Sequence, residues 1–251
     1  MDDDREFQDH FSGHAAAYAE ARPTYPPELF AWLATESPGR ACAWDCATGN
    51  GQAAIALAEH FDHVIATDAS AEQLRHAFPH PRIEYRRARA ETPDLPPASI
   101  ELIIAAQAVH WLDRKRFYAT ATRTLREGGL IAVWCYSLFQ LDPDIDGVIA
   151  ELYEDVVGPY WPPERRLIDE HYRSLEFPFT EIPAPEFQMR QSWTLNQVLD
   201  YLHTWSAVQR YMRREERDPV QLVASEITRL WGAAVRREVR WPLFARAGRP
   251  A

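Results

Sequence analysis

Ala43-Trp44-Asp45-Cys46-Ala47-Thr48-Gly49-Asn50-Gly51-Gln52 runs from an apolar segment through an acid into a glycine turn, and a helix-forming stretch follows over 53–60. Strand, turn and helix in that order open a βαβ unit. Glycine at 49 and 51 lets the turn backbone approach a ligand, and the helix N-terminus behind it offers unpaired amides. A second strand over 64–67 delivers Asp68 about 20 residues beyond the turn, where a carboxylate can accept both hydroxyls of a ligand ribose. Gly49, Gly51 and Ala54 also satisfy the looser G-x-G-x-x-A fingerprint, so the spacing alone leaves nicotinamide and flavin cofactors open.

Outward from this unit the alternation continues. Ser70 and Gln73 form a capping-box pattern that predicts a helix to about position 78. A third strand is predicted over 83–86 and a loop over 93–97. The near-continuous apolar run over 100–105 suits a parallel strand covered on both faces. Asp113 can cap a helix over 114–126, with Phe117, Ala121 and Leu125 at a spacing of four and Gly128-Gly129 as its left-handed end. A fifth strand follows over 130–136. Strands and helices alternating at these lengths predict right-handed crossovers and a doubly wound α/β sheet.

Upstream, 11–34 reads as two helical pieces broken by Arg22-Pro23-Thr24-Tyr25-Pro26-Pro27, because proline cannot continue a helix and restricts its predecessor. Downstream, 137–177 is helical and aromatic, with Tyr153, Tyr160, Trp161 and Tyr172 among many charges. β-like stretches at 187–194 and 238–245 predict a late hairpin-like pair, separated by a helical segment containing Thr204-Trp205-Ser206-Ala207. The expected organisation is therefore N-terminal cofactor-covering helices over 1–34, a nucleotide-binding core over 35–136, a helical lid over 137–178, and completion of the sheet and substrate pocket over 179–251.

Composition narrows the function. The chain has 251 residues, 46% of them hydrophobic, and nine tryptophans, enough for one sizeable core. A net charge of −10 gives no global field for a nucleic-acid backbone, and the clusters at Arg86, Arg87 and Arg89 and at Arg213, Arg214 and Arg217 read as solvated helix faces. Cys42, Cys46 and Cys135 form neither a C-x-x-C pair nor a spaced framework, which predicts buried thiols in a reducing compartment and no metal site. No apolar leader or membrane-length run is present, so the expected setting is the cytoplasm. Phosphate-loop, Gly-x-Ser-x-Gly and His-Glu-x-x-His motifs are also missing, which removes phosphoryl transfer, serine hydrolysis and zinc proteolysis.

The run 43–52 resembles the first S-adenosylmethionine (SAM) motif of class I methyltransferases, with Ala47 standing where glycine is common. Ala90-Glu91, the stretch 105–113 and the stretch 127–134 are similar to the family's later motifs. Phe11, Ala15, Tyr18, Arg22, Pro23, Tyr25 and Pro26 resemble the N-terminal signature of the type 11 branch and its trans-aconitate methyltransferase-like members. The resemblance implies a Rossmann-like, mostly parallel seven-stranded sheet with a helical lid after the fifth strand, and SAM as cofactor, leaving S-adenosylhomocysteine. It implies cofactor contacts from Asp45, Ala47, Thr48, Gly49, Gly51, Gln52, Asp68, Ala69, Ala90, Glu91 and Gln107. Tyr18 and Arg22, four apart on one helix face, would close over the sulfonium and the methionine carboxylate.

His110, just beyond the fourth strand, is the candidate catalytic residue, either a general base or a positioning group. Trp111, Tyr136, Trp193 and Trp205 are expected to shape the pocket of a small-molecule methyl acceptor, in a monomer or homodimer acting on neither nucleic acid nor membrane. Two other functions compete: a SAM-binding sensor or partner subunit without turnover, and a nicotinamide-dependent oxidoreductase. The short-chain dehydrogenase form of the latter needs Tyr-x-x-x-Lys, yet the only lysine is Lys115 and the residue four before it is Trp111.

Overall fold

The computed structural model describes residues 23–250. Five parallel strands form the frame: β1 (Cys42–Cys46), β2 (His63–Asp68), β3 (Ile83–Arg87), β4 (Ile100–Ala106) and β5 (Leu125–Tyr136). Three more, β6 (Thr180–Ile182), β7 (Phe187–Trp193) and β8 (Arg237–Arg249), complete the sheet, in the order β3-β2-β1-β4-β5-β8-β6 with β7 also on β8. Leu243 pairs with Tyr136 of β5 and with Phe187 of β7, so β7 lies on the side of β8 away from β5, as β6 does. Eight strands thus fill seven positions, the last shared by two short strands.

Both sheet faces are covered, which is why the strands read as unbroken apolar runs. On one face Leu102 and Ile104 meet Leu29, Phe30 and Leu33 of α1 (Pro27–Glu36) and Leu57 of α2 (Gln52–Ala58). On the other, Trp44, Ile103 and Val133 meet Phe117 and Ala121 of α4 (Arg114–Thr124). Between these lies the short α3 (Ala71–Arg75), which stops before position 78 because Pro79 disfavours the helical region at Phe78. Ser70 caps it by accepting from the Gln73 amide.

The fifth strand also departs from expectation. α4 ends at Thr124 and Leu125 already pairs with Ile100; the next pair is Leu102 with Leu130. Gly128, at φ 72°, therefore serves a bulge within the strand and does not end the helix. Arg86 and Arg87 sit on edge strand β3, where charge discourages edge-to-edge pairing, and Arg86 is bound to Glu84 at 2.6 Å. β6 escapes sequence reading because three residues with no buried member carry no alternation.

Glu101 is buried at the opposite end of β4 from the site. It accepts from the Cys42 amide at 2.7 Å and from Arg126 at 2.5 Å. Glu101→Ala removes both acceptors and leaves the half-buried Cys42 amide unpaired, so chemical denaturation should show a loss of about 1–2 kcal/mol.

After β5 the chain leaves the sheet through α5 (Pro143–Glu151), a π turn at Leu152–Val156 and α6 (Arg165–Asp169). A second excursion, between β7 and β8, forms α7 (Leu195–His203), α8 (Ser206–Glu215) and α9 (Gln221–Trp231). α9 packs on α5, so the cap is built from both excursions. Thr204-Trp205-Ser206-Ala207 is the junction of α7 and α8, with Trp205 extended at φ −66° and ψ 130°.

Candidate active site

The turn after β1 is a run of left-handed residues: Ala47 at φ 55°, Gly49 at φ 59° and Gly51 at φ 86°. Ala47 adopts without glycine's freedom a conformation that costs an L-residue about 1 kcal/mol. Its neighbours fix the turn: the Thr48 amide donates to Thr67 O at 2.9 Å, and its hydroxyl donates to Asp45 Oδ2 at 2.5 Å.

The two glycines differ. Among the described residues a Cβ on Gly49 would meet nothing nearer than Gln73 Oε1 at 3.8 Å, which leaves room there for a ligand. A Cβ on Gly51 would overlap the Tyr85 hydroxyl and come within 2.9 Å of its Cε1. Gly51 is therefore required by Tyr85 as well as by its own φ. Gly51→Ala should destabilise the fold by about 1–2 kcal/mol, read as a lowered melting temperature.

Asp68, buried at the end of β2, accepts from the Gly49 amide and the Ser70 amide, each at 2.8 Å. Asp45 is fully buried, and its Oδ1 has no hydrogen-bond partner among the described residues. Burial pushes its pKa up to about 7, with the Thr48 hydroxyl opposing and the Asp68 charge adding to the rise; the Ala54 amide lowers it from outside hydrogen-bond geometry. An orphaned buried carboxylate oxygen beside an open glycine turn fits a ligand bearing a cationic group, as SAM does.

Among the other expected cofactor residues, Gln52 donates to Pro23 O at 3.1 Å, tying the N-terminal segment to the turn. Ala69 O accepts from Arg87 at 3.2 Å, and Ala90 is buried. The Glu91 carboxylate accepts from the Asp113 amide at 3.0 Å, so here it supports the loop leading into α4. Gln107, at φ 54°, ties the ends of β4 and β5 by accepting from the Tyr136 amide at 3.0 Å. Tyr18 and Arg22 lie outside the described residues.

Beyond the carboxyl ends of β4 and β5, under the cap, is a cavity of about 80 Å³. Gln107, His110, Trp111, Tyr136 and Trp205 line it. Trp193 does not: it packs in the core, 4.8 Å from Trp241 and 5.3 Å from Tyr201 between ring centroids. Its β7 position faces inward, and strand alternation alone gave no way to separate core from pocket. Among the lining residues that sequence reading did not single out are Trp161, Arg165, Tyr201 and Thr204. The aromatic density of the lid was the available signal; Arg165 gave none among so many charges. Doubly wound folds place ligands at this end of the sheet.

Comparison with known proteins agrees with this geometry. A family profile described as a methyltransferase domain matches residues 44–133. A Dictyostelium discoideum protein named as a methyltransferase is 32% identical over 84% of this chain and 82% of its own length. The chain belongs to the class I SAM-dependent methyltransferases. A structure of a type II methyltransferase candidate from Anaeromyxobacter dehalogenans superposes with TM-score 0.87 at 43% identity, covering 92% of this chain and 99% of that one. A Saccharomyces cerevisiae protein named as a SAM-dependent methyltransferase is 23% identical over 82% of this chain and 83% of its own. The family removes the nicotinamide reading, and SAM is the cofactor of this methyltransferase. No helix among the described residues is long and apolar enough to cross a membrane.

Proposed function

We propose that this methyltransferase passes the methyl group of SAM to a small-molecule acceptor, a small organic acid, seated in the cavity beneath the cap. The observation that carries the reading is Gln107, which bounds the cavity and lies at the end of β4, the strand paired with β1 and its glycine turn. SAM, when bound, would supply an electrophilic methyl on a sulfonium centre, for which a neutral thioether is the leaving group.

The chain's residues contribute position and exclusion of water. Asp68 would hold the ribose, and the turn 47–52 with Asp45 would hold the amino-acid end. Ala69, Ala90 and Glu91 would border the adenine, and Tyr18 and Arg22 would cover the site from residues 1–34. Trp111, Tyr136 and Trp205 would wall the acceptor, under a lid formed by 137–178 and by helices within 179–251. We further place the protein in the cytoplasm, as a monomer or homodimer without a nucleic-acid partner.

The test is incubation with methyl-labelled SAM and a panel of small acids, amines and phenols, analysed by mass spectrometry. A product one methyl heavier is expected among the acids. Intact S-adenosylhomocysteine binding with no methylated product across the panel would reverse the conclusion in favour of a non-catalytic sensor.

A further inference from the structure

Arg165 stands in the wall of the cavity with its side chain only 18% exposed. Its Nε donates to Tyr153 Oη at 2.6 Å and lies 3.4 Å from Asp169 Oδ1. The guanidinium rests on two rings, 5.2 Å from the Tyr153 centroid and 4.7 Å from that of Trp161. Nη1 and Nη2 make no hydrogen bond among the described residues. A nearly buried, stacked guanidinium with both terminal nitrogens uncommitted is organised for bidentate recognition of a planar anion.

His110 lines the same cavity, and its protonation follows from hydrogen-bond accounting. The Tyr172 side chain is completely buried, and its hydroxyl lies 2.7 Å from His110 Nδ1, its one hydrogen-bond partner among the described residues. Burial pushes the Tyr172 pKa well up, so the phenol keeps its proton. A buried hydroxyl hydrogen with one acceptor in reach goes to that acceptor. Tyr172 donates to Nδ1, and neutral His110 carries its own hydrogen on Nε2. In this tautomer His110 has no lone pair for use as a base; it is a donor. Tyr172 is held there at φ 57°, next to His171 at φ 56°, an expensive backbone for two non-glycine residues.

We propose that the cavity seats a carboxylate of the acceptor, gripped by the Arg165 terminal nitrogens and met by the Nε2–H of His110, with Tyr172 as the positioning residue that fixes this tautomer. This rests on the methyl-transfer reading and assigns its acceptor chemistry. A carboxylate oxygen forms the new O–CH3 bond as the S–CH3 bond breaks and its electron pair returns to sulfur. The anion and the sulfonium are both neutralised, and no proton is released. A base is not needed, in keeping with a histidine locked as a donor.

The experiment is calorimetry on protein saturated with S-adenosylhomocysteine, using benzoate and phenylacetate, each paired with its neutral amide. Each acid should bind at least tenfold more tightly than its amide. Arg165→Met and Arg165→Gln should bring that ratio close to one while S-adenosylhomocysteine affinity stays within about twofold. Long-range nitrogen-15 correlation spectra of the wild-type protein should show His110 protonated on Nε2, and Tyr172→Phe should abolish that fixed state. Equal binding of acids and amides, no binding of any of the four, a preference that survives in both Arg165 variants, or a proton on Nδ1 in the wild type would each overturn the proposal. Failure of S-adenosylhomocysteine to bind would instead strike the methyl-transfer reading.

Discussion

Asp68→Ala is expected to weaken S-adenosylhomocysteine binding by at least a hundredfold in calorimetry. A carboxylate accepting two ribose hydroxyls makes two charge-assisted hydrogen bonds, each contributing about 1.5–3 kcal/mol, and tenfold in affinity corresponds to about 1.4 kcal/mol. The structure adds a second source of loss. The same carboxylate accepts from the Gly49 and Ser70 amides, so its removal also releases the glycine turn and the start of α3. Asp68→Asn separates the two. An amide keeps one acceptor oxygen but no charge, so an intermediate loss identifies the hydroxyl contacts, whereas a loss equal to that of alanine identifies the turn. Binding unchanged in Asp68→Ala would remove the ribose role altogether.

The strength of this prediction reflects how much of the site was legible in sequence. Asp68 and the glycine turn could be read because parallel strands one crossover apart must bring their carboxyl ends together, and because few residues tolerate φ near 60°. The turn's own chemistry was less legible: Gly51 looked like a site of ligand approach, yet its missing Cβ makes room for Tyr85, a side chain from β3. Pocket residues fared unevenly for the same reason. Tyr136 ends β5, and His110 and Trp111 lie in the short turn just beyond β4, at strand ends whose position the alternation predicts. Arg165 opens the five-residue α6 and Tyr172 lies in the turn after it, where its carbonyl accepts from Arg246 of β8; segments this short are placed by tertiary packing, and no periodicity encodes that. Trp193 and Trp205 look alike in sequence, and only the break between α7 and α8 turns Trp205 toward the cavity.

Asp45→Asn should stabilise the cofactor-free protein at pH 8 by on the order of 4 kcal/mol and change its stability little at pH 4. The sign follows from linkage. The native carboxyl has a pKa of about 7, whereas an unfolded aspartate ionises near 3.9, so between these values the native chain binds the extra proton. Stability contributed by this group is therefore present below about pH 4, falls as pH rises toward 7, and is flat above it, at up to about 1.4 kcal/mol per unit. Asparagine has nearly the same shape and cannot ionise, so the pH-dependent loss disappears; urea midpoints at pH 4, 6 and 8 measure it. The variant should at the same time bind S-adenosylhomocysteine at least tenfold more weakly at pH 8, because a buried anion is what a cationic amino group pairs with. Wild-type affinity should accordingly rise between pH 6 and pH 8, as ligand binding pulls the proton off Asp45. A variant that gains stability without losing affinity would make Asp45 a scaffold residue only. A gain in one and loss in the other is what a charge kept for its ligand produces, since a fully buried carboxylate oxygen with no partner among the described residues has no structural advantage over an amide.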